Sequence, residues 1–267
     1  MNNAGKAISI VAKIFAVFLI VSIIGGIIQG VFGVAHGVFD SKPDSNDKVI
    51  SDTIDADNIS VFDLDVTYTA IDITLGDEFS YTTNNKNIKV KEKINGIYIT
   101  ENGGSHNDKY HLSVVIPRDV KFAQFEISTG AGNVNIEKID TDVLEFELGA
   151  GDVTVNELNA ESKADIDTGA GTFNVNSGKI TNLDFDMGAG NANFNAEFIG
   201  NNDIECGVGK LNINAKNDIT VRVDKGIGML TINGTPYSDG TVMGNSSDRI
   251  QISGGVGDIS VNTVDNM

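Results

Sequence analysis

Carboxylates are the side chains whose regular spacing in this sequence best suits them to act on a ligand. Glu126, Glu145, Asp165, Asp184 and Asp203 stand four residues before the first glycine of successive Gly-x-Gly triplets. Glu147, Asp167, Asp186, Glu205 and Asp224 stand two before it. If the glycines mark equivalent points of stacked strands, neighbouring carboxylates lie ~4.8 Å apart. Like charges at that separation repel by on the order of 1 kcal/mol per pair even in water. A hard divalent cation with oxygen ligands, calcium above all outside a cell, would offset that repulsion. Glu147, Asp167, Asp186, Glu205 and Asp224 are therefore the candidate cation-binding column. The same carboxylates also read as a solvated face that keeps strand edges unpaired, the simpler reading for a chain of net charge -18.

Other chemistry finds little footing. His36, His106 and His111 are the three histidines, and His106 and His111 lie five apart, on opposite faces of any strand. Neither a Gly-x-Ser-x-Gly nucleophile elbow nor a phosphate-binding Walker loop occurs. The Gly-x-Gly triplets lack the third glycine of a dinucleotide fingerprint. Gly254-Gly255-Val256-Gly257-Asp258 has its aspartate one place too early for the calcium-binding nonapeptide repeat. Cys206 is the only cysteine, which excludes an intramolecular disulfide and a cysteine-based zinc site. The negative charge argues against nucleic acid as a partner. No enzyme activity and no cofactor other than calcium are expected.

The elements that carry the carboxylates follow from the repeat. Its first glycines are Gly130, Gly149, Gly169, Gly188, Gly207, Gly226 and Gly255, spaced 19, 20, 19, 19, 19 and 29 residues apart. Apolar columns follow each triplet two and four residues past the second glycine, beginning Val134 and Ile136, with a polar column between them. Strict alternation is the period of a strand. One such unit cannot bury its apolar face alone, whereas stacked copies can. The expected fold is all-β, a single-stranded parallel β-solenoid with rungs of about 19 residues. Asparagine columns such as Asn174, Asn193 and Asn212 read as side-chain ladders between rungs. The middle triplet residues, Ala131 through Val208 and Ile227 to Val256, are expected to tuck under the corner.

Residues 121–267 form the regular repeat, and residues 51–120 read as an irregular β part covering the open end, with a hairpin turn at Asn95-Gly96. The long final step places its extra residues around 234–248, as either a projecting loop or a lid over the last rung. At the other end of the chain, residues 14–35 contain no charge. They suffice for a membrane helix across a core of ~30 Å. Lysines precede this segment and aspartates follow it. This predicts a cytoplasmic N-terminus (1–13), a transmembrane signal anchor (14–36), a linker (37–50) and an extracytoplasmic solenoid at the cell membrane.

TAIDITLGDEFSY (69–81), LSVVIPRDV (112–120) and FEISTGAGNVNIEKI (125–139) with its successors resemble the bacterial "putative adhesin" domain family of unknown function. The resemblance implies a β-solenoid on the cell envelope, often anchored by an N-terminal helix and sometimes associated with envelope-stress systems, with no catalytic residues to transfer. Two roles follow as expectations. The first is an adhesin-like module that binds an envelope polymer or surface protein. The alternative is a scaffold or regulator that docks a membrane protein. A polysaccharide-degrading β-helix enzyme is disfavoured by the short turns and by the scarcity of arginine, limited to Arg118, Arg222 and Arg249.

Overall fold

The computed structural model describes residues 50–53, 59–103 and 109–264. The expected membrane segment, the linker up to residue 49, His36 and His106 lie outside the described residues. Among the described residues, no helix is long and apolar enough to cross a membrane.

The described residues begin with β1 (Ile50–Thr53), β2 (Val61–Val66), β3 (Ala70–Gly76), β4 (Ser80–Thr83), β5 (Ile88–Lys93), β6 (Gly96–Glu101) and β7 (His111–Pro117). The central coils are β8 (Phe122–Ala131), β9 (Val134–Val175), β10 (Gly178–Thr181), β11 (Leu183–Ile199) and β12 (Asn201–Ala215). The chain closes with β13 (Thr220–Asp224), β14 (Leu230–Ile232), β15 (Thr235–Tyr237), β16 (Thr241–Met243) and β17 (Arg249–Asn262).

Period-2 alternation builds the interior. On β8 and β9, Phe125, Ile127, Val134 and Ile136 are buried, while Glu126 and Asn135 between the members of each pair face outward. Each coil repeats this pattern directly above the last. Ala192 is in parallel register with Phe173 below and Leu211 above, and Phe194 with Val175 and Ile213. Aromatic rings pack along the axis, with Phe173 at 5.5 Å from Phe146, 5.6 Å from Phe185 and 6.0 Å from Phe194. Outside, the asparagine ladder forms as expected. Asn212 Nδ2 donates to Asn193 Oδ1 and Asn193 Nδ2 to Asn174 Oδ1, both at 2.8 Å.

The corner glycines are held by close approach as well as by backbone angle. Gly171 has φ +139°, and a Cβ placed there would meet the Gly151 carbonyl oxygen at 1.8 Å. Each turn therefore sits on the backbone of the turn beneath it, and only hydrogen fits between them.

The order of the coils departs from chain order at both ends. The last strand, β17, does not stack outside β13 and β14. It lies between them and β12, pairing parallel with both sides: Ile252 is opposite Ile204 on one side and Val223 on the other. Residues 234–248 supply the lid: β16 pairs antiparallel with β13, and β15 with β14. The long final step exists because the chain must fold this cover before its last strand returns beneath it.

The N-terminal end uses the same device. β2 and β3 lie between the β6–β7 coil on one side and the β8–β9 coil on the other. Antiparallel β4 and β5 cover β7 and β6, and β1 pairs with β4. The expected irregular part thus contains two coils in register with the rest, followed outward by a cover. A terminal coil left open would present unpaired N–H and C=O groups, and the antiparallel strands satisfy them. The β5–β6 turn is Ile94-Asn95, with Gly96 already paired to Lys93, so it falls one residue before the expected Asn95-Gly96. Gly96 lies under the Tyr98 ring, where a Cβ would meet Cε2 at 2.8 Å.

Candidate functional site

The acidic face is built by outward positions of the strands that precede the corner. Asp184 is in register with Asp165 and Asp203, and Asp186 with Asp167 and Glu205. Glu126 is opposite Glu145. The structure therefore brings Glu147, Asp167, Asp186 and Glu205 into one line, continued by stacking of the glycine corners.

Asp224 does not join that line. Because β17 is inserted, Ser253 stands opposite both Glu205 and Asp224, and separates them. Asp224 instead lies 3.3 Å from Arg222 Nε. Two carboxylates that the repeat did not reveal take part at the other end. Asp63 is opposite Glu126, and Asp65 is opposite Ser128. The Phe62-Asp63-Leu64-Asp65 alternation matches Leu183-Asp184-Phe185-Asp186 and was the available signal. The missing Gly-x-Gly at Thr67–Thr69 concealed it.

The face is crowded enough to alter its own ionisation. The Asp186 carboxyl is pushed up to about 6, first by loss of water on the packed face and then by Glu205, Asp167, Asp184 and Asp203. Asp167 is raised by the same loss of water, then by Asp165, Glu147 and Asp184. Glu126 is raised by desolvation and then by Asp63 and Glu145. Asp63 is raised by desolvation and by Asp65, against the lowering effect of Lys93. Lys93 itself sits 3.8 Å over the Tyr98 ring, and Tyr98 lies opposite Asp63. Lys163 relieves the centre through a 2.6 Å contact with Asp165.

A shallow groove of about 430 Å³ runs beside the column, lined by Glu147, Asp167, Asp186, Thr168 and Gly169. Among the described residues, no three carboxylate, histidine or cysteine side chains converge into a formed metal site. Cys206 packs against the core, and burial pushes its thiol up to about 12. His111 Nε2 lies 3.3 Å from Asp72 Oδ2, both half-exposed. Asp72 also accepts the Asn135 amide at 2.9 Å, so this pair belongs to the outer ladder.

The corner ridge differs from expectation. Val208 and Val256 are about two-fifths exposed and Ile227 three-quarters exposed, so these middle residues point outward. Ala170, a smaller middle residue, is buried as expected, whereas the larger branched side chains extend past the stacked glycines into solvent. Val208, Val256 and Ile227 stand in register as an apolar ridge near the C-terminal cover, with exposed Met229 two residues past Ile227.

A family model described as Toastrack DUF4097 matches residues 60–265. No curated protein matches the chain. Among solved structures, it is similar to a "putative cell adhesion protein" from Clostridium sporogenes, with 16% identity over 81% of this chain and 99% of that one, at TM-score 0.38. It is likewise similar to a "putative adhesin" from Bacteroides fragilis, with 16% identity over 85% of this chain and 100% of that one, at TM-score 0.35. A third, a "putative adhesin" from Parabacteroides distasonis, is 14% identical over 82% of this chain and 98% of that one, at TM-score 0.38.

Proposed function

The chain belongs to the Toastrack DUF4097 family, and from that premise we propose that it is an adhesin-like binding module of the cell envelope and not an enzyme. In this reading residues 14–36 anchor it in the membrane, residues 1–13 stay in the cytoplasm, residues 37–50 act as a linker and the solenoid lies outside. The carrying observation is the unbroken acidic line across the central coils, which repeats at the coil spacing. A repeating face suits a repeating partner, such as an envelope polymer or the surface of a protein array. Calcium is the proposed bridge. Glu147, Asp167, Asp186 and Glu205 would hold it as a loose layer of counter-charge, with other oxygens supplied by the partner. Asp224 is left out of this role, because Ser253 stands between it and Glu205.

Sedimentation of residues 49–267 with isolated cell envelopes, in calcium and in chelator, tests the reading. Calcium-dependent pelleting supports it. No pelleting in either condition sinks it and leaves the alternative, a scaffold or regulator that docks a membrane protein. The apolar ridge of Val208, Val256 and Ile227 is the feature that favours that alternative.

A further inference from the structure

A second site lies at the end of the acidic face, where the inserted strand meets the lid. Reading outward across neighbouring coils, Asp203 is in register with Gln251, Gln251 with Arg222, and Arg222 with Val242 of the lid. In the adjacent file, Asn201 is in register with Arg249 and Arg249 with Thr220. These side chains line one cleft of about 550 Å³, partly enclosed by the lid at 244–246. That volume is in the range of small-molecule sites, ~300–1,000 Å³.

The charge of the face reverses here. The same line that carries Asp63, Glu126, Glu145, Asp165, Asp184 and Asp203 ends in Arg222. Two of the chain's three arginines line this cleft, in a protein of net charge -18. Arg222 is held by Asp224, but Arg249 has no carboxylate within ion-pair distance among the described residues. Guanidinium groups present paired N–H donors that match the oxygens of a carboxylate or phosphate. Around them, Gln251 and Asn201 offer both donors and acceptors, Asp203 offers acceptors only, and Val242 presents an exposed apolar edge.

We infer that this cleft binds a hydroxyl-rich unit carrying one anionic group, either a sugar carboxylate or a polyol phosphate. The anion sits on Arg249 and Arg222. Hydroxyls pair with Gln251, Asn201 and Asp203, and a C–H face rests on Val242. A second anionic group on the same unit would meet Asp203 and the acidic line behind it, which selects units with one anionic group. The inference deepens the adhesin-like reading by naming a ligand class, and rests on that reading only for the ligand's source.

The test is saturation-transfer NMR on the full-length chain with three probes: glucuronate, glycerol 3-phosphate and glucose. The Arg222→Gln, Arg249→Gln and Arg118→Gln variants are measured beside it. All three arginines are exposed, so the substitutions spare the packed interior. The expected result is transfer to one or both anions, weak transfer to glucose, and a loss of about fivefold or more in R222Q and R249Q but not in R118Q. Whichever anion responds identifies the source as a uronate or a polyol phosphate. Equal transfer to glucose, or anion signals unchanged in both R222Q and R249Q, overturns the inference. So does silence from both anions. If envelopes still pellet the chain in that case, the adhesin-like reading survives without this cleft. Anion transfer without pelleting upholds the cleft and removes the adhesin-like reading.

Discussion

Val208 lies in register with Val256, and Ile227, much nearer to it in sequence, is on the far side of that strand. A cysteine pair can read this order directly. In a Cys206→Ala background, Val208→Cys with Val256→Cys should form a disulfide under mild oxidation, because adjacent strands place their Cα atoms about 5 Å apart. Val208→Cys with Ile227→Cys should not, since a whole strand intervenes. Electrophoresis without reductant distinguishes the two. Efficient cross-linking of the second pair would contradict the inserted strand.

Gly171 tests the stacked corner. Alanine there combines an unfavourable backbone angle with a clash against a carbonyl oxygen that cannot move without displacing the coil below. Gly171→Ala should destabilise by about 3 kcal/mol or more. Gly103→Ala, where a Cβ would meet nothing within 4 Å, should cost much less despite its φ of +70°. Urea denaturation of both variants makes the comparison.

Asp186 makes the fold pH-dependent. Its folded pKa, about 6, lies above the ordinary 3.8. The ionised group therefore opposes folding, a burden absent below the ordinary value and complete above the folded one. The contribution from Asp186 thus falls as pH rises through this window. The melting temperature should be higher at pH 5 than at pH 7.5, and Asp186→Asn should flatten that difference. A pH profile identical in the variant would refute the assignment.

Thr129 offers a gain. Its hydroxyl is buried without a hydrogen-bond partner among the described residues, in a column shared with Leu148 and Met187. Thr129→Val keeps the shape and removes the unsatisfied group, and should stabilise by about 1 kcal/mol in thermal or urea unfolding.

Most of the fold is legible in the chain because its signals are local and repeated. The alternation around Val134 and Ile136 fixes which side faces in, and the triplets fix where each coil turns. The same periodicity conceals the ends. Every coil has nearly the same inward pattern, so Ile252 fits upon Ile204 or upon Val223 equally well, and nothing local states that it does both. Asp63 and Asp65 were missed for a related reason, since Thr67–Thr69 turns without glycine where the Glu101 carboxylate takes the Thr67 and Tyr68 N–H groups at 2.8 and 3.0 Å. The cleft was further out of reach, because Arg222 and Arg249 become neighbours only through the inserted strand.

That insertion has a mechanical consequence. A pull on the chain after Asn262 does not load an outermost coil that could peel away one bond at a time. It loads β17, gripped along both edges by parallel partners. Such a strand yields only when two ladders shear together. Force from the N-terminal side would release β1, held among the described strands by β4 alone, and then stop at β2, which is gripped by parallel partners on both edges.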